Sequence, residues 1–330
     1  MTYLRIFLIF STLIAFTGCK SRCSQGTSQS AWMESNGKLK VLSTTAIVHD
    51  VVQRVGGEHI DSLVLICGEL DPHTYQLVKG DDEKLGFAHI IFFNGLGLEH
   101  GPSLKYHLSK SQKAVSLGDE VASDSPSDIL VMQGQLDPHI WMDMAVWAKT
   151  IPFIVKALSE ADPAHREIYE QNGKELVDEL LQTDQAIREV LQEVPDEKRY
   201  LVTSHDAFNY FARAYLATEE ERQNGNWQSR FEAPEGLAPE SQLSVADIQA
   251  IIRHLERFNI HVLFPESNVS QDSIRKVVSA GNEQGLDLRI ADLPLYGDAM
   301  GEKGIEAGTY QGMLMHNAKV IKEHINGTGK

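Results

Sequence analysis

Positive charge is scarce in this sequence of 330 residues: 30 Lys and Arg stand against 46 Asp and Glu, for a formal net charge of −16. That shortage argues against a nucleic-acid partner, because phosphate binding needs clustered Lys and Arg. It leaves a surface that attracts cations. No P-loop of the form GxxxxGK[ST] occurs, so any ATP hydrolysis belongs to another chain. No HExxH places a general base between two zinc-binding histidines. Beyond the N-terminus there is no long apolar run, and nothing there reads as membrane-spanning. The one apolar run, Ile6 to Phe16, has 11 residues and follows Arg5. It is too short to cross a bilayer and has the form of a signal-peptide core, predicting a signal peptide over residues 1–18.

Cysteine is nearly absent too, with only Cys19, Cys23 and Cys67. Thr17-Gly18-Cys19 ends the apolar segment as a bacterial lipobox does, which predicts Cys19 as a lipid-anchored first residue of the mature protein. Phe16 stands where such boxes prefer an aliphatic residue. A Cys23–Cys67 disulfide is open to the remaining pair, but Cys67 is expected to be a small buried residue at a strand end. Residues 19–37 are rich in Ser, Gln and Gly and are expected to form a flexible tether.

Order is expected from Leu39. Strands are predicted at 39–45, 61–67, 89–95 and 113–119, with a helix whose apolar face is Ile47, Val48, Val51, Val52 and Val55. Short apolar strands alternating with helices indicate a parallel α/β sheet, here an N-terminal lobe over 38–159. Leu176, Leu180, Ile187, Leu191 and Val194 then mark one face of a long connecting helix within 160–196, ended by Pro195. A second α/β lobe follows over 197–330, with strands at 199–204, 261–266 and 287–292, helices at 206–216 and near 304–325, and a capping box at Ser244 and Asp247. Residues 217–243 read as a long polar loop. The fold expected is thus α/β: two lobes, each a mostly parallel sheet flanked by helices, joined by one rigid helix.

The sequence writes Leu-Asp-Pro-His twice, at 70–73 and 136–139. Pro72 and Pro138 fix their own φ and push Asp71 and Asp137 toward extended geometry, so each histidine is held on a stiff segment. His205 follows a predicted strand, as His73 does, and Asp298 follows the last one. These are carboxyl-end loops, where α/β sheets collect ligands. Facing lobes would bring His73 and His139 together with His205 and Asp298. Three imidazoles and a carboxylate suit a first-row transition metal. Asp71 and Asp137 are expected to accept hydrogen bonds from ligand rings or adjacent amides. The other ten histidines, at 49, 59, 89, 100, 107, 165, 254, 261, 316 and 324, are expected to serve as core or surface residues.

DPHTYQLVKGDDEKLGFAHIIFFNGLGLEHG resembles the first signature of the zinc/manganese/iron solute-binding proteins of ABC importers, the cluster A-I (cluster 9) family. DPHIWMD, TSHDAFNYFARAYL, EGLAPESQLSVADI, FPESNVSQDSIRKV and LPLYGDAMG match its later signatures in order, over about residues 39–325. The resemblance implies two α/β lobes with a metal site in the cleft between them, and it carries ligand roles onto His73, His139, His205 and Asp298. It also implies a membrane permease and a cytoplasmic ATPase as partners, one Mn, Fe or Zn ion as cargo, a monomer, and an extracytoplasmic location, in the periplasm or on the outer face of the cytoplasmic membrane. Three departures stand out. His205 occupies a position where some manganese binders carry Glu, no His-rich loop lies between His73 and His139, and Gln76 replaces the Glu after Tyr75. The alternative is an extracytoplasmic zinc metallohydrolase with Glu266 or Asp206 as base, although four protein ligands would close the open position that catalytic zinc keeps.

Overall fold

The computed structural model describes residues 29–238 and 243–327. The predicted signal peptide, Cys19 and Cys23 lie outside these residues. Four parallel strands open the fold: β1 (Leu39–Ser43), β2 (Ile60–Val64), β3 (Ile90–Phe93) and β4 (Ala114–Ser116), in the order β2-β1-β3-β4. Helix Ala46–Gly56 links β1 to β2. Thr45 caps its start by accepting from the Val48 amide, and Gly57, at φ 55°, turns the chain out of it. Its Ile47, Val48, Val51, Val52 and Val55 are all buried, each stabilising the lobe by roughly 1.5–3 kcal/mol. A small antiparallel hairpin, β5 (Val131–Met132) and β6 (Gln135–Leu136), leads into His139.

The second half is built from shorter strands: β7 (Leu201–Val202), β8 (Phe231–Glu232), β9 (Val262–Leu263) and β10 (Arg289–Ile290). β7 pairs β8 and β9 pairs β10, both in parallel, and the Phe264 amide donates to the Val202 carbonyl at 2.8 Å to join the two pairs. Between the halves runs helix Arg166–Gln192, 27 residues and about 40 Å long. Its Leu176, Leu180, Ile187 and Leu191 are buried in a single apolar cluster. That cluster continues into the first lobe through Trp141, Met144 and Trp147 and into the second through Tyr210, Tyr215, Tyr310 and Leu314. No helix among the described residues is long and apolar enough to cross a membrane.

Four expectations need correction. Residues 217–243 are not all loop. Helix Glu219–Asn224, a 3-10 turn at Asn226–Arg230 and β8 fall there, and Thr218 and Glu221 form a second capping box beside the expected one at Ser244 and Asp247. The expected helix at 206–216 is a turn at Asn209–Phe211 that widens into a π-helix over Ala212–Leu216. Cys67 is neither fully buried nor a simple apolar filler, because it is disulfide-bonded. Within the expected tether, Gln29–Trp32 is already helical, and Trp32 is buried with its indole N–H donating to the Asp61 carbonyl at 2.9 Å. Its large ring, in one apolar cluster with Leu42, Leu65 and Ile91 and edge-on to Phe87, holds this stretch against the lobe.

Candidate metal centre

The repeated Asp-Pro-His has a local physical reason. Asp71 Oδ1 accepts from the His73 amide at 2.8 Å, and Asp137 Oδ1 accepts from the His139 amide at 3.0 Å. Each is an Asx turn, in which the carboxylate reaches the amide two residues on while the proline fixes the bend. Thr74 Oγ1 adds a bond to Asp71 Oδ2. His139 then enters a 3-10 turn, Ile140–Met142, and Asp143 caps the following helix. His205 leaves the carboxyl end of β7, and Asp298 lies in the loop after β10.

These loops meet. One ligand atom each from His73, His139, His205 and Asp298 lies within 4.8 Å of all the others. The four residues are 2, 0, 0 and 3% exposed. His205 Nε2 is 3.1 Å from Asp298 Oδ2, His73 Nε2 is 3.5 Å from the same oxygen, and His139 Nε2 is 3.5 Å from Oδ1. His139 Nε2 and His73 Nε2 are 3.3 Å apart. Ligand bonds of about 2.1 Å in a tetrahedron set neighbouring ligand atoms about 3.4 Å apart, so these separations fit one small cation. Both Asp298 oxygens are buried and neither makes a well-aligned hydrogen bond, which burial would penalise unless a cation or a proton answered them.

Two of the imidazoles are oriented by carboxylates of their own lobe. His139 Nδ1 is 2.7 Å from Asp137 Oδ1, which puts the proton on Nδ1 and leaves the Nε2 lone pair facing the cluster. His205 Nδ1 is 2.7 Å from Glu266 Oε2, close but poorly aligned as a hydrogen bond. Glu266 Oε1 is held by the amides of Ser204 and His205 at 3.0 and 2.9 Å. Among the described residues no carboxylate bonds the His73 ring in this way. Burial opposes a charge on His205, but the Glu266 and Asp298 carboxylates outweigh it and hold its pKa well above the usual imidazole range. Burial likewise opposes charge on Asp298, and His205 overcomes this to hold the carboxyl well below its ordinary range. Without an ion, the site is an imidazolium–carboxylate pair whose proton a metal must displace.

The lobes are tied together around the cluster. Trp141 donates its indole N–H to the Gly297 carbonyl at 2.9 Å, and Tyr310 donates to the Trp141 carbonyl at 2.7 Å. Asn209 Nδ2 reaches across to Asp137 Oδ2 at 3.0 Å. Gly297 has no side chain for a reason: a Cβ there would sit 2.4 Å from Glu266 Oε2.

Asp137 bonds both ring and amide of its histidine, as expected, whereas Asp71 bonds only the amide. Reasoning from sequence missed Glu266 as the partner of His205, although its place after β9 put it at the same carboxyl edge. It also missed Glu99, whose carboxylate accepts from Thr44 Oγ1 and the Asn94 and Gly95 amides and so shapes the NGLGLE loop. The hydrolase alternative finds no support. Burial and the Asp137 charge push Asp206 up to about 8, so it is protonated at neutral pH, and Glu266 is already engaged by His205 and two amides.

Comparison with known proteins shows the family. Residues 41–324 match the family described as zinc-uptake complex component A, periplasmic. The metal-binding protein YtgA of Chlamydia trachomatis serovar D is 36% identical over 323 residues, covering 97% of this chain and 96% of the relative. The manganese-binding lipoprotein MntA of Bacillus subtilis is 32% identical over 317 residues, covering 95% and 96%. Among solved structures, Fe(III)-bound YtgA from Chlamydia trachomatis superposes with a TM-score of 0.82 at 37% identity, over 89% of this chain and 100% of that one. The periplasmic zinc-binding protein TroA from Treponema pallidum gives 0.78 at 27% identity, over 88% and 99%. A two-lobe α/β chain with this match belongs to the periplasmic zinc-uptake component A family, the metal-binding, non-enzymatic solute-binding components of ABC importers.

Proposed function

We propose that His73, His139, His205 and Asp298 together hold one first-row transition-metal ion as cargo for import, with Asp137 and Glu266 orienting two of the imidazoles. The observation that carries this is the convergence of four buried ligand atoms within 4.8 Å, drawn from both lobes. In this reading residues 38–159 and 197–330 are the lobes, and 160–196 is their connector. The protein works as a monomer, anchored outside the cytoplasmic membrane through a lipid on Cys19, and delivers its ion to a permease driven by a cytoplasmic ATPase.

Imidazole and carboxylate donors accept Mn, Fe(II) and Zn alike, and raw affinity follows the Irving–Williams order, with Zn highest. Availability and the permease therefore decide what is carried. The absence of a His-rich loop between His73 and His139 favours manganese or iron over zinc. The test is metal analysis of protein purified without chelator, followed by alanine substitution of each ligand. Each substitution should weaken binding at least about tenfold, or about 1.4 kcal/mol, while His107→Ala and His165→Ala leave it unchanged. Equal losses in His107→Ala and His139→Ala would refute the ligand set. A deletion strain that fails only under zinc limitation would refute the cargo preference.

A further inference from the structure

The two Asp-Pro-His segments repeat one motif but complete it differently. In the first, both Asp71 oxygens are used by their own turn, Oδ1 by the His73 amide at 2.8 Å and Oδ2 by Thr74 Oγ1 at 2.7 Å. In the second, Ile140 takes the place of Thr74 and offers no hydroxyl. Asp137 Oδ1 serves two donors, the His139 amide at 3.0 Å and the ring Nδ1 at 2.7 Å. Its Oδ2 is left for a donor from elsewhere. That donor is Asn209 Nδ2 at 3.0 Å, 72 residues along the chain and in the other lobe.

Asn209 is itself firmly held. It is 3% exposed and opens the turn Asn209–Phe211, shortly after the ligand His205. Its Nδ2 also reaches Asp206 Oδ1 at 2.7 Å, and an amide nitrogen carries two N–H groups, one for each oxygen. The next residue fixes the backbone of the same segment. The Tyr210 hydroxyl donates to the Asp137 carbonyl at 3.2 Å and accepts from the Leu130 amide at 2.9 Å. A carboxyl group turns easily about its last bond, because that torsion has no sharp staggered wells. Without a donor on Oδ2, only the His139 amide and ring would set it, and a buried carboxylate oxygen would go unpaired.

We propose that Asn209 is a positioning residue for the metal centre: through Asp137 it fixes the orientation of the His139 ring, so that one lobe sets the aim of a ligand carried by the other. This rests on the ligand assignment above. Asn209 touches no ion itself. Its neutral amide leaves the negative charge of Asp137 to the His139 Nδ1–H, a charge that a Lys or Arg in its place would draw to itself. Loss of Asn209 leaves all four ligands present with one of them poorly aimed.

Chelator competition for Zn(II) with the full chain reads the affinity. Asn209→Ala should weaken binding about fivefold, less than the loss of about 10- to 100-fold expected for a direct orienting partner. The decisive arm is the His139→Ala background, where three ligands remain and a positioning effect has no ring left to act on. There Asn209→Ala should cost less than about twofold more. An equal loss in both backgrounds overturns the proposal, because Asn209 would then be only a tie between the lobes. Unchanged affinity in Asn209→Ala alongside normal wild-type binding overturns it too. Thermal melts without metal check that each variant folds. Asn209→Leu, of similar volume and without a donor, takes the place of Asn209→Ala if that one does not fold, and the same outcomes decide. A wild-type protein that binds no Zn(II) overturns the ligand assignment itself.

Discussion

Replacing Glu266 with Gln tests the metal centre without touching a ligand. The two side chains have nearly the same shape, and Gln can keep its Oε1 where the Ser204 and His205 amides donate to it. Its amide nitrogen must then face His205 Nδ1, where Glu266 Oε2 now lies at 2.7 Å. A donor in that place forces Nδ1 to accept, so the imidazole proton moves to Nε2. That atom faces Asp298 Oδ2 at 3.1 Å and is the one a metal needs. Flipping the amide gives no escape, because its NH2 would then meet two backbone N–H groups. Loss of such an orienting partner costs about 10- to 100-fold in metal affinity, or about 1.4–2.7 kcal/mol.

The pH dependence sharpens the same test. His205 has its pKa raised, chiefly by Glu266 and Asp298 working against burial, so protons compete with the ion well above the ordinary imidazole range. Wild-type affinity should therefore fall about tenfold per pH unit as pH drops through that window, releasing one proton per ion bound. Without the Glu266 charge the competition weakens, and the gap between variant and wild type should be widest near pH 8 and narrow toward pH 6. Chelator competition at three pH values measures the affinities. Titration heats in buffers of different ionisation enthalpy count the protons. A Glu266→Gln protein within about threefold of wild type at pH 8 would refute the reasoning.

Two further outcomes are expected. Burial pushes Asp50 up to about 6 against the opposing pull of Arg54 and the Tyr310 amide, so its contribution to stability is full below pH 4 and is lost as pH rises through about 6. Asp50→Asn should therefore raise stability at pH 8 by about 3 kcal/mol and leave it nearly unchanged at pH 4, as read by thermal melts. The protein extracted from membranes should carry diacylglycerol on Cys19 by mass spectrometry, and an unmodified N-terminus elsewhere would refute the anchor.

The first lobe was legible in the sequence because β1 to β3 are apolar-rich runs of four or five residues, such as Ile90-Ile91-Phe92-Phe93, and the helix after β1 has a clean apolar face. The second lobe was harder to read, since β7 to β10 are two residues each and carry no period of their own. Helix Glu219–Asn224 was missed because no residue in it is buried, although the Thr218-to-Glu221 spacing is the same capping signal that marked Ser244 and Asp247. The Asp-Pro-His repeat pointed to His73 and His139 because its turn is local. Glu266 had no local signature, since it acts 61 residues away from His205.

The apolar cluster that runs from Val48 through Leu180 to Leu314 joins the two lobes through one continuous core. Heat should find a single cooperative unit. An ion bound between the lobes stabilises the folded chain by RT ln(1 + [ion]/Kd), and in a cooperative unit that gain is shared by every residue. The β10 end of the molecule, which contributes only Asp298 to the centre, is then protected from proteases as fully as the loops that carry the histidines. Occupancy of one site sets the lifetime of the whole carrier.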